Sequence, residues 1–254
     1  VTKPKVVYVD VDGTLVGPGG SLLWNGSTRI VEALIAAAAA GIDVVPVTGR
    51  GRIQVRELCR LLGLARGIGE LGCVHVEGHE VRYEFGDFPF TGVTPVEAME
   101  REGALDLALS LGLEPHDPWN EGREATFLLR GSVEEAAADA ALDAAGFTWC
   151  RIVDNGVLRR LGMHAYHLVP TGTGKAFGVR IDLAAHGLTA ADAVYVGDSA
   201  SDAACAPEVG TCWLVANAEP SLVGPRTSSS YSDGVAEVIE SVLSSSSSSP
   251  SSTS

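Results

Sequence analysis

Val6-Val7-Tyr8-Val9-Asp10-Val11-Asp12-Gly13-Thr14 is the stretch on which the fold of this chain turns. Its first four residues are apolar without alternation, as in a parallel strand covered by helices on both faces. The run ends at Asp10, so the first polar group sits at a strand's carboxyl end, where open parallel sheets gather their ligands. Asp10 and Asp12, two apart in extended chain, face the same side, and Gly13 permits the tight turn that follows.

Outward from this strand the α/β rhythm continues. After a Gly/Pro loop (Gly13 to Gly20), Ser27 is expected to cap a helix whose apolar positions Ile30, Val31, Leu34 and Ile35 share a face, with Gly41 as its stop. Ile42–Val47 reads as a strand ending at Thr48-Gly49-Arg50, and a helix around Ile53–Leu62 stops near Gly63. Strand, helix, strand, helix implies a parallel sheet. The pattern then changes. Val74–Phe85, Ala125–Leu129, parts of Thr148–Arg160 and Ala165–Val169 look like strands, with helical stretches near Pro95–Leu111 and Ser132–Ala145. These form a separate α+β unit of about 85 residues. After Lys175 the first rhythm resumes: a helix to His186, strands Ala193–Val196 and Cys212–Val215, and a last helix Asp233–Leu243. The expected organisation is a Rossmann-like parallel-sheet core (1–83 and 170–243) carrying an inserted α+β cap (84–169), with a disordered serine-rich tail at 244–254. No internal repeat is visible.

Composition narrows the class. With 254 residues, 46 % of them apolar, the chain can bury a sizeable core. No apolar run reaches the ~20 residues of a membrane span, and the start runs straight into a strand without a signal peptide, so a soluble cytoplasmic protein is expected. A net charge of −14, from 32 acidic and 18 basic residues, argues against nucleic acid and anionic membranes as partners. The five cysteines include no C-x-x-C pair and read as reduced, mostly buried thiols.

Three expected strands end in chemical groups: Asp10, Thr48 and Asp198. Lys175 opens the helix after the insert, so separate segments can converge on one crevice. Of the Asp10/Asp12 pair, one carboxylate can attack a phosphate ester and form an acyl phosphate. The other can protonate the leaving oxygen and then deprotonate water. Two anions would repel an anionic substrate unless cations intervene. Asp198 and Asp202, four apart after a strand, complete with Asp10 an oxygen-rich site of the kind Mg²⁺ prefers. Lys175 adds a point charge, and the Thr48 hydroxyl and nearby backbone N–H groups can hold phosphate oxygens. Each piece alone has an ordinary reading: an Asp-Gly turn, a helix cap beside an exposed acid, a capping threonine, a surface lysine. Together each meets a need created by another.

Asp10–Thr14, Thr48, Lys175 and the Asp198/Asp202 pair resemble, in order, the four motifs of the haloacid dehalogenase (HAD) superfamily. An insert between the second and third motifs is similar to its C2-capped branch, among phosphoglycolate, sucrose-phosphate and mannosyl-3-phosphoglycerate phosphatases. The resemblance covers nearly all of residues 5–243, including Ala216-Asn217-Ala218 and Asp233-Gly234-Val235. It implies Asp10 as nucleophile, Asp12 as acid/base, and Thr48 and Lys175 as catalytic phosphate binders. It implies Mg²⁺ held by Asp10, the Asp12 carbonyl and Asp198, with Asp202 in or beside the coordination shell. Gly49 and Arg50 fall in a Thr-Gly-Arg pattern that faces substrate in relatives, and Arg123 matches a cap position that meets anionic substrates; a surface arginine is its other reading. Ser201 and Leu71 depart from the pattern, each standing where relatives often have Asn.

The expected activity is hydrolysis of a small phosphorylated metabolite, a sugar phosphate or a phosphoglycolate-like acid. The alternatives are a phosphomutase of the phosphomannomutase type and a catalytically silent sugar-phosphate-binding protein. Dehalogenation is disfavoured because Asp12 would then serve no purpose. Two motif look-alikes fail on context. Gly67-Ile68-Gly69-Glu70-Leu71-Gly72 spells a dinucleotide fingerprint but precedes a strand-like run. Thr171–Ala176 imitates a P-loop without its first glycine or its final Ser/Thr. His75 and His79, expected on one strand face, and His164 and His167 lack the further ligands of a transition-metal site.

Overall fold

The computed structural model describes residues 3–158 and 161–244. The first strand, β1, is Val6–Asp10. Helix α1 (Arg29–Ala39) and strand β2 (Asp43–Val47) follow, then helix α2 (Arg52–Leu62) and strands β3 (Arg66–Gly69), β4 (Val74–Glu77) and β5 (Glu80–Tyr83). Helices α3 (Pro95–Glu102) and α4 (Ala104–Ser110) lead into strands β6 (Glu114–Pro115) and β7 (Phe127–Gly131). Helix α5 (Glu135–Ala144) precedes the long strands β8 (Cys150–Leu158) and β9 (Met163–Pro170). The chain closes with α6 (Lys175–Ala185), β10 (Ala193–Gly197), α7 (Ala200–Ala203), β11 (Thr211–Leu214) and α8 (Tyr231–Ser244).

Two sheets result. The first has order β11-β10-β1-β2-β3-β4-β5, with β1, β2, β3, β10 and β11 parallel and β4 and β5 added antiparallel. The second is antiparallel, β6-β7-β9-β8. This is a Rossmann-like HAD core with an α+β cap. The central strand obeys its pleat: Val7 and Val9 pack with Ile30 and Leu34 of α1 and Val235 and Ile239 of α8, while Val6 and Tyr8 pack with Val179 and Leu183 of α6. Each such buried aliphatic side chain is worth about 1.5–3 kcal/mol. A separate cluster around Leu129, Ile152, Leu168, Leu142 and Met99 joins the second sheet to α3 and α5. Among the described residues no helix is long and apolar enough to cross a membrane.

Several local expectations are corrected. The Val74–Phe85 stretch is a hairpin on the edge of the core sheet, turning at Gly78 and His79, so His79 lies in the turn and not on a strand face with His75. The Pro95–Leu111 helix is broken at Gly103 into α3 and α4. Strand β3 was not anticipated. Helix α1 begins at Arg29, and Ser27 donates its hydroxyl to Asp233 Oδ1 (2.8 Å) instead of serving as the N-cap residue. Its buried face is Ile30, Ala33, Leu34 and Ala37, while Val31 and Ile35 are exposed. The small alanines allow close approach to the sheet and α8, which rotates the expected stripe. Ser244 closes α8; the rest of the serine-rich tail, 245–254, lies outside the described residues, as do 159–160 of the expected Thr148–Arg160 stretch.

Candidate active site

Register places the pieces. Asp10 is the last residue of β1 and pairs with Val47, so Thr48 emerges beside it; Val9 pairs with Val196, which sets Asp198 just beyond β10 on the other flank. Lys175 is the first residue of α6, and Asp202 lies in α7. Lys175 Nζ donates to Asp10 Oδ1 at 2.7 Å and to Asp202 Oδ1 at 2.8 Å, with all three side chains buried. Oxygens of Asp10, Asp198 and Asp202 lie within 4.8 Å of one another.

The two acids of the Asp198/Asp202 pair differ in their commitments. Asp202 Oδ1 accepts from Lys175 and from the Tyr195 hydroxyl (2.7 Å), and its Oδ2 from the backbone N–H groups of Asp198 (3.1 Å) and Ser199 (3.0 Å) and the Ser199 hydroxyl (2.7 Å). It therefore holds the loop after β10 in place. Asp198 has one long contact, from the Thr14 hydroxyl at 3.3 Å. Asp10 Oδ2 is buried with no hydrogen-bond partner.

Three carboxylates face one ammonium, an excess of negative charge in a low-dielectric place. Burial, then Asp202, pushes the Asp10 carboxyl well above its ordinary range against the pull of Lys175. Burial, then Asp202, raises Asp198 to about 6. Asp202 is also raised by burial, but the Lys175 ammonium and its hydrogen bonds outweigh this and hold it low. Burial would lower Lys175, and its two carboxylate partners reverse the direction. A buried donor set this negative, with an unpartnered oxygen, fits a hard divalent cation.

Asp12 stands apart, at the mouth. Arg50 forks onto it, Nε to Oδ2 at 2.8 Å and Nη2 to Oδ1 at 2.6 Å, and the Asp12 side chain is 58 % exposed. Hydrogen bonding to Asp12 raises the Arg50 guanidinium further. Thr48 is buried, and its hydroxyl accepts from the Arg50 N–H at 3.2 Å, shaping the Thr48-Gly49-Arg50 loop. Gly13 has φ +95°, and a Cβ there would lie 2.3 Å from Asp198 Oδ2, so only glycine lets the two loops meet.

Arg123 overturns its surface reading. It is buried and donates to Trp119 O (2.8 Å), Thr126 Oγ1 (2.9 Å) and, across to the core, Gly49 O (2.8 Å). Burial lowers its pKa. Glu70 answers from the core: its Oε2 accepts the N–H groups of Ala125 and Thr126, both at 2.9 Å. Glu70 and Leu71 hold left-handed backbone (φ 45° and 54°) to make this reach, and Leu71 is buried. Glu70, Thr126, Tyr195, Asn217 and His167 were not singled out as site residues from sequence. For Asn217, which donates to Gly13 O at 2.8 Å, the signal was present in the Ala216-Asn217-Ala218 match. His164 pairs with Asp154 (2.6 Å), away from any metal-like cluster.

No family model matches the chain. It is 28 % identical over 251 residues to the phosphoglycolate phosphatase of Halobacterium salinarum, covering 96 % of this chain and 99 % of that one. It is 29 % identical over 236 residues to that of Halorubrum lacusprofundi (91 % and 94 %). Among solved structures, a haloacid dehalogenase-like hydrolase from Bacteroides thetaiotaomicron matches with TM-score 0.71 at 20 % identity, covering 94 % of this chain and 100 % of that one. The sucrose-phosphatase of Synechocystis, in complex with sucrose and phosphate, matches with TM-score 0.70 at 17 % identity (95 % and 99 %). In motif order and fold, and over nearly its whole length, the chain is similar to these haloacid dehalogenase-like phosphatases.

Proposed function

We propose that this HAD phosphatase is a Mg²⁺-dependent phosphomonoesterase acting on a small phosphorylated metabolite, a phosphoglycolate-like acid or a sugar phosphate, through an aspartyl-phosphate on Asp10. The observation that carries the reading is the cluster of buried Asp10 and Asp202, both on Lys175, with half-buried Asp198 beside them, negative in sum and with Asp10 Oδ2 unpartnered. Asp10, Asp198 and the Asp12 carbonyl would hold the cation, with Asp202 beside them because its oxygens are already engaged. The cation supplies charge neutralisation at the phosphate oxygens.

The Asp10 carboxylate attacks phosphorus, forming an O–P bond as the bond to the leaving oxygen breaks. Lys175 orients Asp10 and pulls it toward the ionised form, and the Thr48 hydroxyl and Gly49–Arg50 loop grip the phosphoryl oxygens. Asp12, once Arg50 releases it, carries a proton to the leaving oxygen and then takes one from the water that hydrolyses the acyl phosphate. The cap, taken as residues 84–169, covers the crevice and restricts water. Five free cysteines support the reducing cytoplasm as its compartment, and a net charge of −14 disfavours nucleic acid.

A panel of phosphate esters, assayed for free phosphate with Mg²⁺ and with chelator, tests this. The expected result is turnover with Mg²⁺ alone, abolished in Asp10→Asn. Phosphate release from sugar phosphates without a bisphosphate activator excludes the mutase. Inertness toward the whole panel, or an active Asp10→Asn, refutes the proposal.

A further inference from the structure

We infer that His167 of the cap, with Asn155 beside it, is a specificity-determining group that reads a carboxylate on the substrate's leaving group. The inference rests on the phosphatase reading of the same site. In-line displacement sends the leaving group away from the nucleophile. Asp10 forms the floor of the crevice, so the leaving group points to the roof, and the roof over the Thr48-Gly49-Arg50 loop is β9 and the β8–β9 hairpin. A Cβ on Gly49 would lie 2.9 Å from His167 Nε2 and 3.2 Å from Asn155 Nδ2. Both side chains therefore press on the segment between the phosphate-gripping Thr48 and Arg50.

His167 is fully buried, yet its Nε2 has no hydrogen-bond partner. That is costly without a compensating ligand. Its Nδ1 lies 3.2 Å from the Thr126 hydroxyl oxygen, which accepts from Arg123 Nη1 at 2.9 Å. The hydroxyl proton has two acceptors in reach, His167 Nδ1 at 3.2 Å and Glu70 Oε2 at 3.5 Å. A hydroxyl that donates to the nearer of the two leaves the ring proton on Nε2, which points at Gly49. Burial, then Arg123 and Lys175, keep the ring neutral, so it presents one N–H and no charge. An N–H from His167, an amide N–H from Asn155 and the Arg50 fork are all donors. An acceptor-only group satisfies them together, and a carboxylate is such a group, whereas a hydroxyl must also place its own proton. The closeness of the ring to Gly49 favours a short leaving group.

The test compares kcat/KM for phosphoglycolate with that for isobutyl phosphate, close in size and branching but without the carboxylate charge, using the full chain with Mg²⁺. The wild type is expected to prefer phosphoglycolate by at least ~10-fold, as a charge-assisted hydrogen bond allows. His167→Leu should cut that ratio ~10-fold, while His167→Gln, which restores a donor, holds it within ~3-fold. Asn155→Ala, at an exposed position that leaves folding intact, should lower it ~3-fold. A ratio near one in the wild type, or one unmoved by both His167→Leu and Asn155→Ala, overturns the inference while ester hydrolysis itself stands. Inertness of the wild type toward every ester sinks the phosphatase reading and this with it.

Discussion

Lys175→Met asks how strongly the buried cluster depends on its single cation. Methionine matches the lysine stem in length and removes only the charge. In the wild type the ammonium sits 2.7 Å from Asp10 Oδ1 and 2.8 Å from Asp202 Oδ1, with 4 % of the side chain exposed. Deleting one partner of a buried ion pair costs about 3–5 kcal/mol, because the other charge stays buried and unpaired. Here two carboxylates lose their partner at once, which argues for the upper part of that range. For a chain of this size about 3–5 kcal/mol corresponds to a drop in Tm of roughly 6–20 °C. The assay is thermal and urea unfolding in chelator at pH 7. Acidification to pH 5 should narrow the deficit: Asp10, already raised by burial, takes up a proton in the native variant that the unfolded chain lacks, so native stability rises as pH falls. Mg²⁺ should narrow it too. A variant within ~1 kcal/mol of wild type in chelator, or one whose deficit widens on adding Mg²⁺, refutes the charge-balance reasoning.

Gly13→Ala would put a methyl 2.3 Å from Asp198 Oδ2 at φ +95°, and is expected to lower kcat/KM at least ~100-fold and to abolish thermal stabilisation by Mg²⁺; a normal Mg²⁺ response speaks against the packing. Glu70→Ala strands the buried N–H groups of Ala125 and Thr126 and should cost about 2–5 kcal/mol in urea unfolding, with Glu70→Gln costing less than half of that; equal losses would show that the acceptor is not what matters. Burial, then Arg82, holds His75 at about 4. Its folded value lies below the unfolded ~6.5, so its stabilising contribution is whole above that pH and is lost as pH falls toward 4, about 3 kcal/mol in all. Wild type should therefore lose that much more than His75→Phe between pH 7 and pH 4, and parallel curves would dismiss the effect.

The parallel core was readable because buried strands announce themselves twice, by an unbroken apolar run and by the polar residue that ends it. β1, β2 and β10 have both signals. β3 has neither: Arg66-Gly67-Ile68-Gly69 offers one apolar side chain and begins with an arginine that is itself buried, paired with Asp182 and Asp43. The face of α1 was misjudged because alanine weighs little in an apolar pattern, yet Ala33 and Ala37 decide how near the helix sits. Within the site, the Asp10/Asp12 and Asp198/Asp202 pairs are local in sequence, and taken together with Thr48 and Lys175 they suggest the chemistry. The Glu70–Arg123–Thr126–His167 cluster joins a core loop to the loop before β7 and to β9, and no local pattern marks it. Its members look like ordinary polar residues until tertiary structure buries them against Gly49.

Charge links the resting site to its use. A nucleophilic carboxylate must be ionised, yet Asp10 is buried beside two more carboxylates, and one lysine cannot offset all three. The deficit is what a divalent cation would fill, and on the proposed reading a dianionic phosphate would be drawn to the charge so restored. At the mouth the balance is reversed: Asp12 has both oxygens on Arg50, so it cannot hand over a proton until the arginine finds another anion. The phosphoryl group or a carboxylate on the leaving group offers one. Recruitment of Arg50 by substrate and release of Asp12 for proton transfer are then the same event, and an ester that fails to engage Arg50 should bind without being turned over well.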